Sequence, residues 1–180
     1  MKKICLLLIL SIIAFSSGCA DNGQSEIVEK GDNISVNYVG KYDNGTVFDT
    51  SWINVSKEAG LYDASRNYEP LSFVVGAGQM ISGFDNGVLN MTIGEKKTLK
   101  LSPDEAYGEY KEEYLVPVPR SDLENNSIVP EIGKQVGTLM GVATIVDITD
   151  NNVTLDFNSP LAGKNLTFDI EVVSIEKASK

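Results

Sequence analysis

The 180-residue sequence contains no histidine, and that absence removes most of the usual ways a side chain does chemistry. A Ser-His-Asp or Cys-His nucleophile cannot be assembled. A zinc site lacks its commonest ligands, with only Cys5 and Cys19 to offer thiols. The glycines of GAGQMISG do not have the spacing that cradles a phosphate. DEAYGEYKEE lacks the order of an EF-hand loop and reads as a solvated loop. Acidic residues abound, so two-carboxylate chemistry is not excluded by composition, but only Asp49, in GTVFDTSW, stands in an apolar setting. It follows Phe48 where an apolar strand should be ending. A turn residue, an acid or base, and a less familiar electrostatic role are all open to it. No metal, cofactor or covalent nucleophile is expected.

The elements that must position Asp49 read mainly as antiparallel β. NISVNYVGKY alternates apolar and polar residues, DNGT supplies a hairpin turn, and VFDTS returns as the next strand. Residues 52–69 show no clear period and read as a loop or insertion with at most one helical turn. PLSFVVGAG reads as a strand ended by glycines. QMISGFDNGVLNMTIG is the best helix, with Ile81, Phe84, Val88 and Leu89 on one face, Ser82 as candidate N-cap and Gly87 as a weak point. EKKTLKLSP is a strand stopped by Pro103, and LTFDIEVVSIEKA is a long alternating strand. Between them, residues 110–157 change character. They open with charge and prolines, KEEYLVPVPRSD, then show strand-like GTLMGVATIVDIT and VTLDF around a DNN turn. This is enough for a small β-rich domain inserted into the first, and the class is α+β rather than alternating βαβ.

The beginning of the chain is a different object. MKK is a short basic segment, ICLLLILSIIAF is an apolar run too short to span a bilayer of ~30 Å, and SSGC follows. This reads as a signal peptide over residues 1–18, similar to a lipoprotein signal, with Cys19 as the lipidated first residue of the mature chain. Ser16 stands where a leucine is usual. Residues 19–28 read as a polar tether, and no internal disulfide is expected. The expected location is the outer face of the cytoplasmic membrane, or the medium if Cys19 is not lipidated. The 25 acidic residues against 15 basic ones argue against nucleic acid as a partner. The sequon Asn-x-Ser/Thr recurs at Asn33, Asn44, Asn54, Asn90, Asn125, Asn152 and Asn165. Chance would give about two from this composition.

Taken in order, GDNISVNYVGKYDNGTVFDTS, FVVGAGQMISGFDNGVLNMTIGEKKTLKLSPDEAYG and LAGKNLTFDIEVVSIEK resemble the FK506-binding (FKBP) family of peptidyl-prolyl cis-trans isomerases. The resemblance covers nearly all of the mature chain. It implies a twisted sheet wrapped on a short helix, formed by residues 29–109 and 158–180. It also implies that 110–157 is the insert-in-flap domain of the SlyD-like branch, which binds unfolded chains. The 52–69 expansion is similar to the longer bulge of some prokaryotic, notably archaeal, members. The implied catalytic residues are Asp49, Tyr107 and Phe168, and the implied substrate-binding residues are Tyr38, Phe48, Leu71, Met80, Ile81 and Phe84. The family often carries an aromatic at the position of Leu71 and a tryptophan at that of Phe84, which puts tight macrolide binding in question. The chain ends SIEKASK, without the His- and Cys-rich metal-binding tail of many SlyD proteins.

The implied reaction suits these residue types. Prolyl isomerisation breaks no covalent bond, but the C–N bond must twist against a barrier of ~18–20 kcal/mol. The twisted amide has less charge separation than the planar one, so an apolar cage favours it. The implied partners are proline-containing unfolded or partly folded polypeptides, and the chain is expected to be a monomer. A non-catalytic holdase retaining the fold is the alternative reading. Asp49 then has no proton to move; it either closes its strand through backbone hydrogen bonds or sits at the cage rim as an electrostatic group.

Overall fold

The computed structural model describes residues 26–179. The signal segment, Cys19 and most of the expected tether lie outside those residues. Among the described residues nine strands form two antiparallel sheets, each with its own apolar core, and three short α-helices pack beside them.

The first sheet contains β1 (Asn33–Tyr42), β2 (Val47–Thr50), β3 (Leu71–Val74), β4 (Lys96–Leu101) and β9 (Leu166–Glu176). Its order is β2-β1-β9-β4, with β3 also paired to β1. The alternation read in LTFDIEVV is the packing: Leu166, Phe168, Ile170 and Val172 point inward and are buried, while Thr167, Asp169 and Glu171 face outward. Each such buried apolar side chain contributes roughly 1.5–3 kcal/mol relative to exposure. The outer face is polar, with Lys41 and Thr98 both donating to Asp169 at 2.6 Å.

The helix that fills the inner face, α2 (Ser82–Gly87), follows α1 (Ile53–Glu58), a six-residue helix in the expected loop. α2 is shorter than the apolar period suggests, and its N-cap is Ile81, with no side-chain cap. Ser82 instead donates to the Glu105 carbonyl at 3.2 Å. Gly87 is required by packing: a Cβ there would lie 2.2 Å from Leu99 Cδ1. What looks like a helix weakness lets α2 lie close against Leu99 of β4.

Val28 corrects the boundary expected for the tether. It is 1% exposed and packs in the main core, while Ile27 bridges to Thr92. The chain ends are fastened nearby at Asp32, which is buried and accepts from Glu29 N, Ala178 N and Lys177 Nζ. Burial alone would raise its pKa, but these hydrogen bonds and the Lys177 charge outweigh it and hold the carboxyl below the usual range.

The second sheet has the order β5-β8-β7-β6, from β5 (Leu115–Pro119), β6 (Gln135–Thr138), β7 (Gly141–Ile148) and β8 (Asn152–Asp156). The segment GTLMGVATIVDIT, read as one strand-like run, is divided between β6 and β7. The break falls at Leu139–Met140, and Gly141 takes a φ of 124° that other residues rarely adopt. The prolines of LVPVP sit on the edge strand β5, where a missing N–H costs no ladder bond. A third helix, α3 (Arg120–Asn125), presses Leu123 into a small core with Val136, Ile145, Val153 and Leu155. The two chain segments that join the sheets clasp each other: Gly163 N donates to the Gly108 carbonyl at 2.8 Å, and Tyr110 Oη to Asp156 at 3.0 Å.

Candidate active site

Between the inner face of the first sheet, the start of α2 and the loop after β4 lies a cavity of about 250 Å³. All nine residues implied by the resemblance border it, together with Gln79. Tyr38 comes from β1, Phe48 and Asp49 from β2, Leu71 from β3, and Phe168 from β9. Met80 and Ile81 lead into α2, whose Phe84 forms the floor, and Tyr107 hangs from the loop after β4.

The rings lock one another edge to face. Phe84 meets Phe168 at a centroid distance of 5.4 Å and an interplanar angle of 89°. Phe168 meets Phe48 at 5.7 Å and 87°, and Tyr38 meets Phe84 at 6.3 Å and 88°. Each such pair adds ~0.5–1.5 kcal/mol beyond its burial, so the walls are stiff. Gly40 makes the arrangement possible, because a Cβ there would lie 2.7 Å from the Phe48 ring. Phe84 and Phe168 are almost fully buried, and Leu71, Met80 and Ile81 are half-buried.

The polar groups gather at one side of the rim. Tyr38 Oη donates to Asp49 Oδ2 at 2.7 Å, and the Thr50 amide donates to Oδ1 at 2.8 Å. Arg66, from the 52–69 expansion, donates to Asp49 Oδ1 at 2.5 Å and to Tyr38 Oη at 3.1 Å. The guanidinium also lies over the Tyr68 ring, 5.3 Å from its centroid. Sequence reasoning missed Arg66, because a cation inside an aperiodic loop carries no spacing signal. The ion pair is substantially exposed, with Arg66 at 42% and Asp49 at 37%. Such pairs contribute at most about 1 kcal/mol, so its main consequence is geometric.

Asp49 is therefore held from three directions and is not a free base. It closes its strand by accepting from Thr50 N–H, the structural reading of this residue, and it also fixes Tyr38 and Arg66 at the rim. Burial, then the hydrogen bond and charge of Asp49, push the Tyr38 hydroxyl up to about 12, against a smaller opposing effect of Arg66. The phenol stays protonated and donating. Partial desolvation, then the Asp49 charge, also raise the pKa of Tyr107. The Tyr107 hydroxyl has no hydrogen-bond partner among the described residues, and the side chain is 43% exposed. It is free to donate to a bound carbonyl.

The two widest hollows lack this character. One of about 450 Å³ over the outer sheet face is lined by Lys96, Lys97, Asp169 and Glu171, among others. The other, of about 490 Å³, lies in the second sheet between α3 and the β6–β7 hairpin. Neither combines ring walls with a hydroxyl and a clamped carboxylate.

Comparison with known proteins identifies the family. The chain is 38% identical over 152 residues to a short-type peptidyl-prolyl cis-trans isomerase of Methanocaldococcus jannaschii, covering 84% of this chain and 96% of that one. It is 36% identical over 121 residues to an FKBP-type isomerase SlyD of Helicobacter pylori, covering 66% of this chain and 65% of that one. A 16 kDa FKBP-type isomerase of Escherichia coli is 29% identical, covering 86% of this chain and 97% of that one. Residues 24–173 match the family model described as FKBP-type peptidyl-prolyl cis-trans isomerase, and the chain belongs to that family.

Proposed function

We propose that this FKBP-type isomerase acts on exported proteins outside the cytoplasmic membrane, held there through lipidated Cys19, and that residues 110–157 bind unfolded clients. The observation that carries the catalytic part is the ring-walled cavity whose polar groups are confined to its rim. A prolyl ring enters over Phe84, between Phe48, Phe168 and Ile81. Tyr107 donates to a carbonyl flanking the proline, and the excluded water lowers the cost of losing amide resonance. Asp49 contributes a fixed negative charge at the rim and holds Tyr38 and Arg66 in place. No proton moves.

The client-binding part is supported by the apolar side chains that the second sheet leaves in solvent. Val129, Ile132, Met140 and Val142 are each at least 65% exposed, and Leu139 is fully exposed. Patches of this kind suit loose, reversible contact with unfolded chains.

Proline-limited refolding of a test protein, with and without the mature chain, separates this from a holdase. Acceleration of the slow phase at micromolar enzyme is expected, since uncatalysed X–Pro exchange takes tens to hundreds of seconds. An unaltered slow phase would leave a binding protein with no turnover.

A further inference from the structure

We infer that the mature chain is an N-glycoprotein, modified at Asn44, Asn54, Asn90, Asn125 and Asn152. The inference rests on the export reading above. Its first support is frequency: seven sequons stand where this composition gives about two by chance. The structure adds two independent observations. All seven sequon asparagines are exposed, whereas the two described asparagines that are only partly exposed, Asn37 and Asn158, lie outside sequons. None of the seven lines the catalytic cavity or either of the two widest hollows.

The side-chain nitrogens divide the asparagines further. Among the asparagines that do not head a sequon, Asn126 and Asn158 use Nδ2 structurally, donating to the Asp122 carbonyl at 2.7 Å and the Lys111 carbonyl at 2.9 Å, whereas Asn37, Asn67, Asn86 and Asn151 have no Nδ2 partner among the described residues. In the five proposed sites, Nδ2 has no hydrogen-bond partner among the described residues. Asn44 uses only its oxygen, which accepts from Thr46 N at 2.9 Å and leaves the nitrogen outward. Asn33 and Asn165 differ: their nitrogens donate to Glu176 at 3.1 Å and Asp43 at 3.3 Å, so they are omitted. A hairpin turn explains Asn44, and a left-handed backbone with φ of 63° explains Asn90. Neither explains a hydroxyl residue two positions further on in every case.

The transfer balances with a co-reactant met on the outer side of the membrane, a sugar carried on a polyprenyl phosphate or diphosphate. Asn Nδ2 attacks the anomeric carbon, the C–N bond forms, and the C–O bond to phosphate breaks. The phosphate leaves with the electron pair, and one amide proton passes to a base of the transferase. One N–H and the amide oxygen remain, so the Asn44 turn is preserved.

The test is glycopeptide mass spectrometry on the protein purified from its own host, with the N-terminal peptide read in the same spectra. Sugar-bearing peptides at three or more of the five sites are expected, and fewer than three overturn the inference. Thr46→Ala alters an exposed hydroxyl with no hydrogen-bond partner among the described residues. It should abolish the mass shift at Asn44, and a retained shift counts against sequon-directed transfer. A chain that begins at Cys19 with bare asparagines overturns glycosylation and leaves export standing. A chain that still begins at Met1 overturns both.

Discussion

The five-stranded sheet gathers fifteen buried apolar residues into one core, whereas the four-stranded sheet of residues 110–157 gathers six. The first core is rich in rings that fix one another at right angles, and it leaves one cavity of defined shape. The second is aliphatic and thin, and the apolar side chains it cannot cover stand in water along the β6–β7 hairpin and the loop before it. Selecting one geometry of one bond needs walls that do not yield. Holding chains of many sequences needs apolar area without a fixed shape. The two cores differ in residue type as well as in size: rings wall the cavity of the first, and only aliphatic side chains are buried in the second.

This contrast can be broken from either side. The largest effect is expected from Phe168→Ala, which removes a ring shared by core and cavity. Unfolding free energy should fall by about 3–5 kcal/mol, and peptide isomerisation should drop to the uncatalysed rate. Denaturant titration alongside a peptide assay reads both, and full activity in the folded variant would remove this ring from the cage. Next is Ile145→Ala in the thin core, where Ile145 is wholly buried. A loss of about 2–5 kcal/mol should be confined to the second sheet. Refolding of a protein substrate should then suffer more than turnover of a short peptide; equal losses would argue that the two sheets are one functional unit.

Tyr107→Phe sharpens the comparison, because it changes chemistry and leaves shape alone. Losing one hydrogen bond of ~0.5–1.5 kcal/mol should cut kcat/KM roughly two- to tenfold with no change in stability. An unchanged kcat/KM would make the hydroxyl a bystander. The smallest effect belongs to Tyr38 and appears only in alkali. Its folded pKa of about 12 exceeds the usual 10.0, so folding favours the protonated phenol. The stability this contributes is whole below about pH 10 and is lost as pH rises through about 12. Tyr38→Phe should flatten that part of a melting-temperature profile, and an identical profile would mean that the hydroxyl is not tied to Asp49 in solution.

Much of the catalytic unit was legible because its two central strands are long and alternate cleanly. NISVNYVGKY became β1 to the residue, and LTFDIEVVSIEKA became β9 without its last two residues. The cavity-lining positions were legible only through the order of whole motifs, since Phe48 or Phe84 alone reads as ordinary core. Arg66 was not legible, because its partner Asp49 lies 17 residues away across a loop whose path is set by tertiary packing. The split between β6 and β7 was hidden by Leu139 and Met140, apolar residues at a turn where polar ones are the usual signal. Val28 was misassigned for a related reason: a single apolar residue after a polar run has no period to mark it.

The pairing of β1 with β9 also sets an order of events. Asn33 lies opposite Glu176, so the central ladder of the catalytic sheet joins the two extremities of the folded body. That ladder cannot form until residues 166–176 are available to pair with residues 33–42. The second sheet draws all its partners from residues 115–156 and needs nothing beyond Asp156. Local contacts form before distant ones. The second sheet can therefore close on its own strands while the β1–β9 ladder still lacks its second partner.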